Sequence, residues 1–180
     1  MQACKLKPSS AAILAACLAL AASTATAADS PITGTIAVTA SVSASCTMTT
    51  ADMSFGTYDP LNANNAGGAD VTATGSVTTT CTNGATPVLT LSEGAHPDST
   101  SAPATPKRQM LNGTDSTALM SYGLYSDDAG QILIGNTADT GLAIASDGTA
   151  KTTNIYGIIP KGQNVTVGSY SDSVTATLTF

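Results

Sequence analysis

The chain has 180 residues, 42% of them hydrophobic, a formal net charge of −6, no Trp and two Phe. That length suits one domain with a real core, and the acidic balance opposes nucleic-acid binding, which needs a positive footprint. A single His, a single Glu and no nucleophile elbow, phosphate loop, dinucleotide fingerprint or H-E-x-x-H motif leave catalysis without a constellation, so no enzyme, cofactor or metal is expected.

Residues 1–27 read as an export peptide. Lys5 and Lys7 form a basic start, Ala11 to Ala22 is almost continuously apolar, and Ala25-Thr26-Ala27 is an A-x-A cleavage signal. Leu14-Ala15-Ala16-Cys17 also resembles a lipoprotein processing box, but the apolar run continues through Leu18 and Leu20. Removing 27 of the 180 residues leaves 153, with 12 acidic side chains against four basic ones once Lys5 and Lys7 are gone, a charge of −8. Cys4 and Cys17 leave as well, so Cys46 and Cys81 remain. An even pair in an exported chain is most economically a disulfide, with two free buried thiols as the other reading.

The stretch 32–46, ITGTIAVTASVSASC, alternates strictly. Ile32, Gly34, Ile36, Val38, Ala40 and Val42 share one parity, and Thr33, Thr35, Thr39, Ser41 and Ser43 the other, which predicts a strand. A second strand is expected over Cys46 to Phe55, followed by the loop GTYDPLNANNAGGAD. Alternation resumes from Val71 to Cys81, turns at Asn83-Gly84 and continues in Pro87 to Leu91. Residues 94–108, with three prolines, read as a surface excursion in which the lone His96 faces solvent.

Ala118, Met120, Tyr122 and Leu124 alternate, Asp127 to Gly130 turns, and Gln131 to Ile134 forms a short strand. A brief strand at Leu142 to Ala145 and another at Asn154 to Ile159 follow. The chain closes on a long strand with Val174, Ala176, Leu178 and Phe180 on one face. About seven strands between Gly, Pro and Asn turns indicate an all-β sandwich with Greek-key connections.

Isolated polar signals have ordinary explanations. Asp127-Asp128 is a turn pair rather than an acid/base pair. Asp172 reads as a residue capping backbone donors, with an electrostatic contact to a basic partner as the other reading. The acceptor patterns at Asn112 and Asn164 are chance matches, and the dispersed tyrosines fill a core margin rather than forming a stacking platform.

The ordered series Cys46, Phe55-Gly56-x-Tyr58, Cys81-Thr82-x-Gly84, Leu89-x-Leu91-x-x-Gly94, Arg108-x-Met110, Tyr122-x-Leu124-Tyr125-x-Asp127, Tyr156-Gly157-x-Ile159-Pro160-x-Gly162-Gln163 and Gly168-x-Tyr170-x-Asp172-x-Val174 resembles the spore coat protein U domain family, which includes archaic, Csu-type chaperone–usher pilin subunits. The likeness runs from about Ile32 to Phe180, and departs from the family at Ile134-Gly135, where a Trp often precedes the Gly.

The resemblance implies an incomplete immunoglobulin-like sandwich completed by donor-strand complementation. A periplasmic chaperone lends a strand, and an outer-membrane usher exchanges it for the N-terminal extension of the next subunit. Residues 28–44 match that extension and 45–180 the pilin domain, with Cys46 and Cys81 where the family has its disulfide. The expected role is a structural subunit of a homopolymeric pilus, exported through the periplasm to the cell surface, supporting attachment and biofilm formation. A coat or matrix protein of the same fold and a carbohydrate-binding β-sandwich are the alternatives.

Overall fold

The computed structural model describes residues 30–180, so the export peptide and its lipoprotein-like box lie outside the described residues. The chain divides into two units, residues 1–40 and 41–180. Within the first, residues 30–40 carry no regular secondary structure and are exposed.

The second unit is built from strands whose period-two patterning turns apolar side chains to one side. A six-stranded antiparallel sheet has the order β1 (Cys46–Ala51), β2 (Val71–Cys81), β7 (Ala150–Ile159), β5 (Leu119–Tyr125), β4 (Arg108–Asn112), β8 (Tyr170–Ser171). A smaller sheet has the order β6 (Leu142–Ala143), β3 (Val88–Leu91), β9 (Ala176–Thr179), and a 3-10 turn at Ala138–Thr140 precedes β6. Val77, Leu89, Leu91, Met110, Met120, Tyr122, Leu124, Ile134, Ile144, Ile155 and Ile159 form the buried core. The opposite face of β1 and β2 carries mostly Thr and Ser, and the Thr78 hydroxyl lies 2.9 Å from that of Thr152 on β7 across the ladder.

Cys46 and Cys81 are directly opposite in the β1–β2 register and are disulfide-bonded, which excludes the free-thiol reading. Closing a loop of 35 residues stabilises by about 4 kcal/mol through the unfolded chain.

Several expected boundaries move. The strand expected through Phe55 stops pairing at Ala51, and residues 131–134 make an isolated bridge, Tyr125 to Leu133, rather than a strand. The 94–108 excursion ends in β4, whose first residue Arg108 is 1% exposed. Its Nε donates to the Ser92 carbonyl (2.7 Å) and Nη2 to those of Leu91 and Ile134 (both 2.9 Å), tying β4 to the end of β3. Burial lowers this guanidinium's pKa, against the raising influence of Tyr122, Asp172 and Glu93. Ile134, where the resemblance leads one to expect a Trp, is 1% exposed in the core.

The expected C-terminal strand is shortened to β9, and a two-residue strand not expected from the pattern, β8, lies ahead of it. β8 pairs with β4 in the large sheet, the chain crosses over, and β9 pairs with β3 in the small one. Val174, Ala176 and Leu178 pack half-buried on the core as their parity requires, whereas Phe180 is 56% exposed.

Candidate functional site

The sandwich is open along one side. β1 pairs with β2 alone and β9 with β3 alone, so each is a sheet edge. Beyond Ala51 the chain continues in irregular form through 52–58, and among the described residues no backbone–backbone hydrogen bond is made by 52–57. Between this segment and the stretch 165–176 runs a groove of about 1010 Å³. Its floor is the core itself, with Val77, Leu91, Met110, Met120, Leu124 and Ile159 all reaching its surface. Apolar floor and unpaired strand edges together are what an added β-strand satisfies.

Two strand glycines shape one wall. A Cβ at Gly75 would stand 3.3 Å from Met53 Cε, and one at Gly157 would meet Met53 Sδ and lie 2.6 Å from Phe55 Cζ. Met53 and Phe55 therefore lie flat across β2 and β7, and Phe55 meets Tyr122 edge-on with ring centroids 6.1 Å apart. The next turn is pinned by Tyr58, whose single hydroxyl hydrogen is shared between the carbonyls of Asn64 and Pro160 (both 3.1 Å) and whose oxygen accepts from Gln163 N (2.9 Å). Gln163 also bonds both backbone groups of Ser121, so two motifs about a hundred residues apart lock together at this end of the groove.

The other wall is fixed by Asp172. Its carboxylate, 3% exposed, accepts from Ala95 N (2.8 Å) and Tyr122 Oη (2.6 Å), which fits the capping reading and leaves no free charge for a surface contact. Burial first, and then the Asp172 hydrogen bond, push the Tyr122 phenol well above its ordinary range. His96 corrects the solvent-facing expectation in part: its side chain is 38% exposed, but Nδ1 is buried 3.5 Å from Asp172 Oδ1.

The predicted extension has the opposite character to the groove. Ile32 is 100% exposed, Ile36 86%, Val38 89% and Val42 85%; Ala40 is exposed and nothing lies within 4 Å of a Cβ built on Gly34. The strand expected over 32–46 thus becomes regular only at Cys46: Ser45 bonds Thr82 just ahead of it, and residues 30–44 carry no regular secondary structure. Asn112, in one chance acceptor pattern, is 2% exposed and accepts from Thr114 N and Asp115 N, so it is closed to modification.

The Spore Coat Protein U domain matches residues 32–177. The chain belongs to the spore coat protein U domain family. Within it, Protein U of Myxococcus xanthus is 44% identical over 128 residues, covering 71% of each chain. Among solved structures, one chain of the CsuC–CsuE chaperone–tip adhesion subunit pre-assembly complex, from the archaic chaperone–usher Csu pili of Acinetobacter baumannii, matches with a TM-score of 0.51 at 17% identity. The match covers 77% of this chain and 40% of that one, and it is a likeness of fold. For this family member, the groove residues that alternation did not reveal are Met53, Met110 and Val165. Gly75 and Gly157 inside strands were the available signal, since glycine there marks close approach by another chain segment.

Proposed function

We propose that the protein is a structural subunit that polymerises by donor-strand exchange in a chaperone–usher pilus at the cell surface. The observation that carries the reading is a core left open between two unpaired sheet edges, on a chain whose N-terminal stretch offers Ile32, Ile36, Val38 and Val42 on one exposed parity. Residues 28–44 act as the donor, 45–180 as the acceptor domain, and the neighbouring subunit is a second copy of the same chain. A periplasmic chaperone covers the groove beforehand, because an empty one exposes apolar surface and invites aggregation. An outer-membrane usher then exchanges the chaperone for the next donor, and the finished fibre serves attachment and biofilm formation. Such a subunit needs no catalytic group; among the described residues no three His, Cys, Asp or Glu side chains gather to hold a metal.

The test deletes residues 29–42 while keeping the export signal and cleavage site, then follows chaperone complexes and polymers. Chaperone binding is expected to survive while the mutant fails to donate; normal polymers would sink the assignment. The Spore Coat Protein U domain match favours a second reading, a coat or matrix protein of the same fold that assembles differently. Inactivating the usher separates them: a pilus subunit is lost from the surface without it, and a coat protein that assembles independently is not.

A further inference from the structure

Four methionines lie among the described residues, and all pack on the core: Met110 and Met120 at 8% and 5% exposure, Met48 and Met53 half-buried. Met53, Met110 and Met120 line the groove, whereas Met48 does not. Of the three, Met53 is the accessible one. Its sulfur rests on Gly157 and its methyl on Gly75, so neither glycine supplies a side chain to cover the thioether. We propose that Met53 is a modification site: hydrogen peroxide converts it to the sulfoxide while the groove is empty, and the sulfoxide then obstructs the incoming strand. This rests on the donor-strand reading above.

The chemistry needs only the thioether and the peroxide. A sulfur lone pair attacks one peroxide oxygen, an S–O bond forms as the O–O bond breaks, sulfur loses two electrons, and the departing hydroxide takes the remaining proton to leave as water. The result is a polar acceptor on a wall shaped for apolar contact. Beneath it, the backbone of β2 and β7 is already engaged in their mutual ladder, Gly75 opposite Ile155 and Gly157 opposite Ala73. The sulfoxide oxygen therefore turns toward the path of the donor strand. A strand already seated, the chaperone's or the next subunit's, covers Met53 and shields it, so the device acts on subunits whose groove is empty and spares both the chaperone-held subunit and the fibre.

The experiment treats the monomeric mature chain with dilute hydrogen peroxide, with and without a saturating synthetic peptide of residues 30–45, and reads each methionine by peptide mass mapping. Met53 is expected to oxidise faster than Met110 and Met120, and about tenfold more slowly once the peptide is bound, while Met48 keeps its rate. Peptide affinity for the oxidised chain is expected to fall about tenfold, as for a buried polar group without a partner. In Met53→Leu the ratio of affinities before and after peroxide is expected to be near one, and in Met48→Leu to match the unmodified chain. Unshielded oxidation of Met53, unchanged affinity after its complete oxidation, or the same affinity loss in Met53→Leu would each overturn the proposal. Failure of the peptide to bind the untreated chain would overturn the donor-strand reading, and this inference with it.

Discussion

If residues 30–45 fill the groove as a strand, side chains of one parity enter it and those of the other stay wet, so substitutions should sort by parity and not by position. Ile36 and Val38 are 86% and 89% exposed in the single chain, so nearly all of their apolar surface is available to be buried. Ile36→Ala removes three carbons and Val38→Ala two, worth about 2.4 and 1.6 kcal/mol at ~0.8 kcal/mol per buried methylene. Donor affinity should then fall roughly 60-fold and 15-fold, since about 1.4 kcal/mol is a factor of ten. Thr35→Ala and Thr39→Ala, on the wet face, should change it less than about twofold, within the ±0.5 kcal/mol typical of surface substitutions. Competition of labelled and unlabelled 30–45 peptides for the mature chain, read by fluorescence anisotropy, measures all four. Equal losses on both parities would refute the alternation argument, and larger losses at Thr35 and Thr39 would mean that the strand enters with the opposite face.

Other expectations concern the acceptor domain. Cys46→Ala with Cys81→Ala should lower unfolding stability by about 4 kcal/mol in urea titration while preserving the β-rich circular dichroism of the fold. Arg108→Met should lower it by about 3–5 kcal/mol, because the carbonyls of Leu91, Ser92 and Ile134 lose their donors in a buried site; the same titration checks it. Turn hydrogen bonds hold the carboxyl pKa values of Asp98 and Asp115 below normal, the Thr100 and Thr117 hydroxyls being the leading causes, and Asp59 and Asp127 are lowered by their own turn bonds. The unfolded chain binds protons more readily at these sites, so stability is present above about pH 4 and lost as pH falls through the folded values. Tyr122 acts in the opposite direction: its raised pKa keeps the folded phenol neutral, so stability is present below about pH 10 and falls above it by about 1.4 kcal/mol per unit. Tyr122→Phe should flatten that alkaline limb in pH-dependent denaturant melts.

Particular residues mark where sequence patterning suffices and where it fails. β2 runs from Val71 to Cys81 as its alternation predicts, because one face is buried along much of its length and any slip would expose it. β4 escapes notice because it opens on Arg108, and charge at a strand start reads as surface. No local pattern reveals that three carbonyls from other parts of the chain surround the guanidinium. The C-terminal stretch misleads in another way: Val174, Ala176 and Leu178 keep one inward parity while the chain passes from one sheet to the other, so alternation survives a change of ladder partner. The proposed donor half of the candidate site is legible because a strand's chemistry is local. The acceptor half is not, since Met53, Met110, Leu91 and Val174 converge from four separate parts of the chain.

Charge placement fits the same division of labour. The sequence from Ser30 to Ala51 contains no Asp, Glu, Lys or Arg, although the chain as a whole is acidic, with 12 acidic residues. A charge on the inserted strand would lose its hydration inside an apolar groove and slow every exchange, whether the groove was previously filled by a chaperone or empty. Charge on the outer loops has the opposite value. It keeps unassembled copies apart through a repulsion that is screened within about 8 Å at physiological ionic strength, too short a range to oppose a strand once it is seated. On the donor-strand proposal, an uncharged, alternating stretch ahead of an acidic domain with an open core therefore separates two requirements, solubility before assembly and persistence after it, onto different stretches of one chain.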